Sequence, residues 1–314
     1  MINLNPPNPH PLDFDWRFTS ETVGEIRNVL DDVPTLAVGA PSIARYLEQT
    51  KKSVLLVDRQ PFQGVSNHIR MEVGGELPGA EKYSQAIVDP PWYPEELINW
   101  VAWAANKLNT NSVIFVSIWP SDVRPLGHSE TSKFVKWAQQ WAEMELLPIV
   151  PLYEKPLFER RALEFSDGSD LCTSPRRGRL LKLIVKHPPE LPKIDASIPK
   201  ASWVRFVAND YQLALNLSCD SSKSQSILMH PKAVKWHWPY VSRRAPLRDL
   251  IGLWSSENEA AIVQNPRSLL KTLRAAFQQT NAQSFEKTLE EFPELYQWNI
   301  PRPPYQRLFE WQHQ

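Results

Sequence analysis

The chain has 314 residues, 29 of them proline, with 35 basic and 35 acidic side chains and a formal net charge of zero. That length buries a sizeable core, as one large domain or one domain with an appendage, and the zero balance argues against a dedicated nucleic-acid binder held by bulk charge. No apolar run reaches membrane-spanning length, Met1-Ile2-Asn3-Leu4-Asn5-Pro6 lacks the basic and apolar regions of a signal peptide, and the only cysteines, Cys172 and Cys219, support neither a disulfide framework nor a zinc site. The expectation is a cytoplasmic protein with free thiols and no resident metal.

Residues 1–18 are proline-rich and read as extended, ending in Asp13-Phe14-Asp15-Trp16-Arg17-Phe18. A strap packed across a sheet edge is the plain reading of that aromatic cluster; a lid over a bound small molecule, using Asp15 and Phe18, is the functional one. A helix follows from Ser20, with Val23, Ile26 and Leu30 on one face. Thr35-Leu36-Ala37-Val38-Gly39 reads as a buried parallel strand ending in glycine, and Ala40-Pro41-Ser42-Ile43 as a helix start. Ser53-Val54-Leu55-Leu56-Val57-Asp58 is a second buried strand ending in an acid. The spacing from Gly39 to Asp58 matches doubly wound nucleotide folds, in which the second-strand acid takes ribose hydroxyls. Only one glycine of the dinucleotide fingerprint is present, and Pro41 has no N–H to offer a pyrophosphate. A phosphate-free ribose ligand fits better than a dinucleotide. Asp58 as a simple loop cap is the plain alternative.

Ala86-Ile87-Val88 leads into Asp89-Pro90-Pro91-Trp92-Tyr93. Proline pairs also stand at Pro6-Pro7, Pro188-Pro189 and Pro303-Pro304, so the pair alone says little. An acid, two prolines and an aromatic at a strand end suit a flat, amino-bearing substrate: carboxylate and first proline carbonyl accept N–H bonds, and the ring stacks. The stretch resembles the D/N-P-P-W/Y/F signature of S-adenosylmethionine-dependent amino-methyltransferases, especially the adenine-N6 family. The resemblance covers residues 33–120 and is specific only at Asp89–Trp92. It implies a Rossmann-like, doubly wound, mostly parallel α/β sheet of the class I methyltransferase type. It also implies S-adenosylmethionine as cofactor, with Gly39, Ala40, Pro41 and Asp58 around it and Asp15 and Phe18 over it. Asp89, Pro90, Pro91, Trp92 and Tyr93 would then hold an exocyclic amine, adenine N6 in DNA or RNA first. A protein glutamine or lysine N-methyltransferase and a catalytically silent scaffold that binds a partner are the alternatives.

Beyond the motif, a helix is expected over Tyr93–Lys107, a strand over Asn111–Pro120, a helix from about Ser129 to Met144, and strands at Leu147–Val150 and Arg179–Val185; the resemblance implies that the last of these closes the sheet as an antiparallel strand. Trp203–Val207 and Gln212–Leu217 alternate as a further β pair. Asn265-Pro266 starts a helix, Ser284 caps another that Pro293 stops, and Pro301-Arg302-Pro303-Pro304-Tyr305 reads as an extended tail. The expected divisions are a strap and helix over 1–32, an α/β domain over 33–250 and a helical appendage with a tail over 251–314.

Charge is uneven along the chain. Residues 1–154 carry 12 basic and 19 acidic side chains, and residues 155–250 carry 17 and 9. Arg176, Arg177, Arg243 and Arg244, with Trp203, Trp236, Trp238 and Tyr240 interleaved, are candidates for holding a nucleic acid. A solvated basic face fits equally well. His237 reads as a structural histidine.

Overall fold

The computed structural model describes residues 7–13, 15–60, 62, 64–78, 83–165, 175–192, 202–218, 227–228, 235–242 and 244–312. It divides into two compact units, one of Trp16–Lys155 and Pro175–Ile194, the other of Pro6–Asp15, Pro156–Ser174 and Asp195–Gln314. Cys172, Cys219, Phe14 and Arg243 lie outside the described residues.

The first unit runs α1 (Ser20–Val29), β1 (Thr35–Val38), α2 (Pro41–Gln49), β2 (Val54–Asp58), β3 (His68–Arg70), β4 (Tyr83–Val88), α3 (Pro94–Asn106), β5 (Leu108–Ile118), α4 (Gly127–Ala138), β6 (Ala142–Leu146), β7 (Leu152–Tyr153), β8 (Arg176–Arg177) and β9 (Arg179–Val185). Its seven-stranded sheet has the order β3-β2-β1-β4-β5-β9-β6. The first five strands are mutually parallel, and β9 is antiparallel to both its neighbours. Strand residues alternate between two cores, as a period of two demands. Leu36, Val38, Leu55, Val57, Ala86, Val88, Ile114 and Val116 pack with α3 and α4, whereas Ala37, Leu56, Ile87 and Phe115 pack with α1 and α2. Both faces are therefore covered, which is why the central strands are continuously apolar.

One expectation slips here. The helix read through Met144 stops at Ala138, and β6 occupies Ala142–Leu146, where no strand was expected, while Leu147–Val150 is not a strand. Exposed Glu143 and Glu145 alternate with buried Ala142 and half-buried Met144, and they pair with Lys186, just past β9, and Lys182 on β9. The cross-strand partners, invisible to a local pattern, override the continuing helical stripe.

The second unit holds α5 (Leu157–Phe165), β10 (Trp203–Ala208), β11 (Tyr211–Asn216), β12 (Ile227–Leu228), β13 (Trp236–His237), β14 (Leu253–Ser255), β15 (Glu259–Val263), α6 (Pro266–Phe277), α7 (Ala282–Leu289) and β16 (Leu308–Gln312). Its antiparallel sheet runs β12-β15-β14-β11-β10-β16, with β13 also on β15. Phe206, Leu213, Leu215 and Leu253 pack one face against Leu269, Leu273, Phe277 and Phe285 of the helices. Trp203, Trp238 and Trp254 fill the other. The expected boundary at residue 250 is thus displaced. The β10–β11 pair joins the C-terminal third instead of the parallel sheet, because its apolar face is matched by α6 and α7, and the chain's end adds a strand beside β10.

Candidate active site at the carboxyl edge of the parallel sheet

The sheet order reverses between β1 and β4, and open α/β sheets offer their ligand crevice at such a switch point. Val38 pairs with Val88, so Gly39 and Asp89 emerge side by side. Asp89 N–H donates to the Val38 carbonyl at 3.0 Å, and Gly39 N–H to the Val57 carbonyl at 3.0 Å. Gly39 has φ +61°, and a Cβ there would come within 2.3 Å of the Trp100 ring and 2.9 Å of the Asp89 carbonyl. Glycine is therefore dictated by both backbone hand and close approach. Gly39 and Asp89 follow β1 and β4, and Asp58 is the last residue of β2, three adjacent strands in the sheet; β3 intervenes in the chain, so these are neighbouring strand ends in space instead of successive ones in sequence.

Asp58 is 9 % exposed. Its Oδ1 accepts from Gln60 N–H at 2.7 Å, and its main-chain carbonyl meets His68 Nε2 at 3.1 Å. The loop-capping role foreseen for it is real. An acid at the carboxyl end of the second strand is the type of acceptor that a ribose diol requires. Burial holds the His68 pKa below 6.5, with Arg70 adding to the depression and the bond to the Asp58 carbonyl opposing it. Ala40 and Pro41 are buried at the start of α2, where Pro41 takes the first helical turn.

Asp89 is half-buried and Pro90 buried, while Pro91, Trp92 and Tyr93 are half-buried. A tight turn closes the motif, Tyr93 N–H donating to the Pro91 carbonyl at 2.6 Å before α3 begins at Pro94. Arg124 pins the turn from outside: its Nη1 donates to the Trp92 carbonyl at 2.7 Å, its Nε to Glu130 at 2.7 Å, and its guanidinium lies 4.5 Å from the Trp119 ring centre.

Sequence reasoning missed Tyr153. Its hydroxyl donates to Asp89 Oδ1 at 2.7 Å and lies 2.5 Å from Ser117 Oγ. Phe18 lies against the same ring at 4.8 Å and Trp92 edge-on at 5.6 Å. Burial, then the Asp89 charge, pushes the Tyr153 pKa well above 10, so the phenol keeps its proton. Gly178 packs against this pair: a Cβ there would stand 3.1 Å from Ser117 Oγ and 3.3 Å from the Tyr153 ring.

The strap runs beside β7, Thr19 N–H donating to the Leu152 carbonyl at 2.9 Å and Glu154 N–H to the Arg17 carbonyl at 2.8 Å. It brings Phe18, 4 % exposed, against Tyr153. Asp15, the other expected lid residue, is assigned to the second unit. Arg176 stands opposite Tyr153 on the β7–β8 ladder with its guanidinium 4.4 Å from the Trp16 ring centre, and Arg177 is exposed beside it. Arg17 lies similarly over Phe62 at 5.3 Å. Arg244 is an exposed residue of the second unit, so the basic stretch is split between units. The interleaved aromatics are mainly core: Trp203 and Trp238 are buried, Trp236 packs beside them, and only Tyr240 is widely exposed. His237 lies on β13, its pKa lowered chiefly by burial.

Among the described residues no group of three or more His, Cys, Asp or Glu side chains could hold a metal ion, and no helix is long and apolar enough to cross a membrane. The sequence matches no protein-family model and no curated protein. Among solved structures, a Thermus thermophilus branched-chain polyamine synthase mutein bound to N4-aminopropylspermidine and 5'-methylthioadenosine is similar over 61 % of this chain and 64 % of its own, at 13 % identity and a TM-score of 0.47. A T. thermophilus 16S rRNA N2 G1207 methyltransferase in complex with AdoMet and guanosine is similar over 63 % and 46 % at 11 % identity and a TM-score of 0.34. The Synechocystis magnesium protoporphyrin IX methyltransferase with bound SAH is similar over 52 % and 82 % at 12 % identity and a TM-score of 0.32. The chain thus spans less than two thirds of the first two of these structures' own chains. Strand order, strand directions and the switch point identify the first unit: it has the Rossmann-like fold of the class I methyltransferases.

Proposed function

We propose that the chain is an S-adenosylmethionine-dependent methyltransferase acting on a planar exocyclic amine, adenine N6 of a nucleic acid first. One observation carries the reading. A half-buried aspartate followed by two prolines, just after β4, has its main-chain carbonyl against the left-handed glycine that follows β1. The donor supplies a methyl group already activated on a sulfonium. Gly39, Ala40 and Pro41 would border it, and Asp58 would take its ribose hydroxyls, much as a second-strand acid does in related nucleotide folds.

The enzyme's contribution is alignment, because an exocyclic amine is a weak nucleophile with its lone pair delocalised into the ring. N–H bonds to the Asp89 carboxylate and the Pro90 carbonyl favour a pyramidal nitrogen whose lone pair can attack. With the donor bound, its C–S bond would break, leaving the electron pair on sulfur, as the new C–N bond forms, and Asp89 would carry the displaced N–H proton to solvent. Trp92 or Tyr93 stacks on the base, which must be flipped out of a duplex first. Arg176 and Arg177, close to Tyr153 along β8, supply cations for phosphates.

The test is transfer of labelled methyl to DNA, RNA and lysate protein, followed by digestion to nucleosides or amino acids. Label in N6-methyladenosine or its deoxy form supports the reading. Label in protein glutamine or lysine transfers it to a protein substrate, and no transfer with no donor binding at millimolar concentration leaves a silent scaffold.

A further inference from the structure

We propose that Tyr153 is a positioning residue for Asp89, its hydroxyl holding one carboxylate oxygen so that the carboxylate presents a fixed, ionised face to the substrate amine. This rests on the reading of Asp89 as the amine acceptor. The hydroxyl reaches Oδ1 at 2.7 Å from β7, a two-residue strand outside the seven-stranded sheet. A phenol has a single proton. Since it is given to Asp89, the 2.5 Å contact with Ser117 is a bond donated by the serine to the phenol oxygen. The order Ser117, Tyr153, Asp89 makes each bond polarise the next. The ring cannot drift, held between Phe18 and the edge of Trp92. Gly178 leaves the room that a side chain would fill between Ser117 and the ring. The two hydroxyls are neutral at working pH; Arg176, opposite Tyr153 on the ladder, and Arg124, bonded to the Trp92 carbonyl, are cations nearby.

Tyr153→Phe keeps the packed ring and removes only the hydroxyl. Methyl transfer should lose about 10- to 100-fold in kcat, the scale of a misaligned reacting group, with KM for the acceptor and Kd for S-adenosylmethionine within about threefold of wild type. Ser117→Ala should move kcat the same way by less. In parallel, carbon-13 NMR of labelled aspartate follows the Asp89 carboxyl, assigned with Asp89→Ala. Its titration midpoint should rise in Tyr153→Phe, because a bond to the ionised form is lost. Unchanged kcat and midpoint in a folded Tyr153→Phe protein would overturn the proposal. Should that variant fail to fold, Ser117→Ala decides by the same two readouts. If the wild type methylates nothing, the functional reading fails, and the carboxyl titration alone decides the role of Tyr153.

Discussion

At the scale of single residues, the proposed site gives the two acids different duties. Asp89→Ala should abolish transfer while leaving donor binding near wild type. Asp58→Ala should weaken donor binding by about 1–3 kcal/mol, the range for lost hydrogen bonds to a charged group, read as the shift in Kd by calorimetry. Gly39→Ala should destabilise the fold in denaturant titrations, by about 1–2 kcal/mol for the left-handed backbone and about 1–3 kcal/mol more for overpacking against Trp100. His68 gives a pH dependence of known sign. Its folded pKa lies below 6.5, so the unfolded chain binds the proton more tightly, and its neutral burial stabilises least where the imidazole must charge. Thermal stability should therefore fall as pH drops below about 6.5, and less steeply in His68→Gln. Asp89, Asp58 and Gly39 were legible in the sequence because each ends an apolar run. Tyr153 was not. It is 64 residues from the acid it hydrogen-bonds, on a strand too short to show a period.

At the scale of elements, local chemistry was readable where it was self-contained. Asn265 caps α6, its side chain accepting from Ser268 N–H, as the Asn-Pro pair implied. The cap of α7 is Asn281, which accepts from Ser284 N–H; Ser284, the expected cap, lies inside the helix. Replacing Asn281 with alanine should cost about 0.5–2 kcal/mol, and Ser284→Ala much less, a contrast that urea titration resolves. Elements defined by distant partners were harder to read. β6 depends on β9, and β16 on β10. A helical stripe or a proline-rich tail hides such strands until the partner is known.

At the scale of the whole molecule, the fold class was legible and the partition was not. Alternating strands and helices up to residue 118 state a doubly wound sheet. The second unit draws on three separated segments, including Pro6–Asp15, which a linear reading joins to the helix that follows. Arg205 explains part of that connection. Its guanidinium, 1 % exposed, makes two bonds of 2.6 Å to Asp13 and lies 4.9 Å from the Trp311 ring centre. Asp13→Ala breaks this buried pair and should cost about 3–5 kcal/mol in the stability of the full chain. The most direct test of the account is one paired calorimetric titration of S-adenosylmethionine into Asp89→Ala and Asp58→Ala proteins, beside wild type. Two neighbouring strand ends with separate duties predict near-wild-type affinity for the first and a Kd raised about 5- to 150-fold for the second. Equal affinities in all three proteins, or a loss confined to Asp89→Ala, would contradict it.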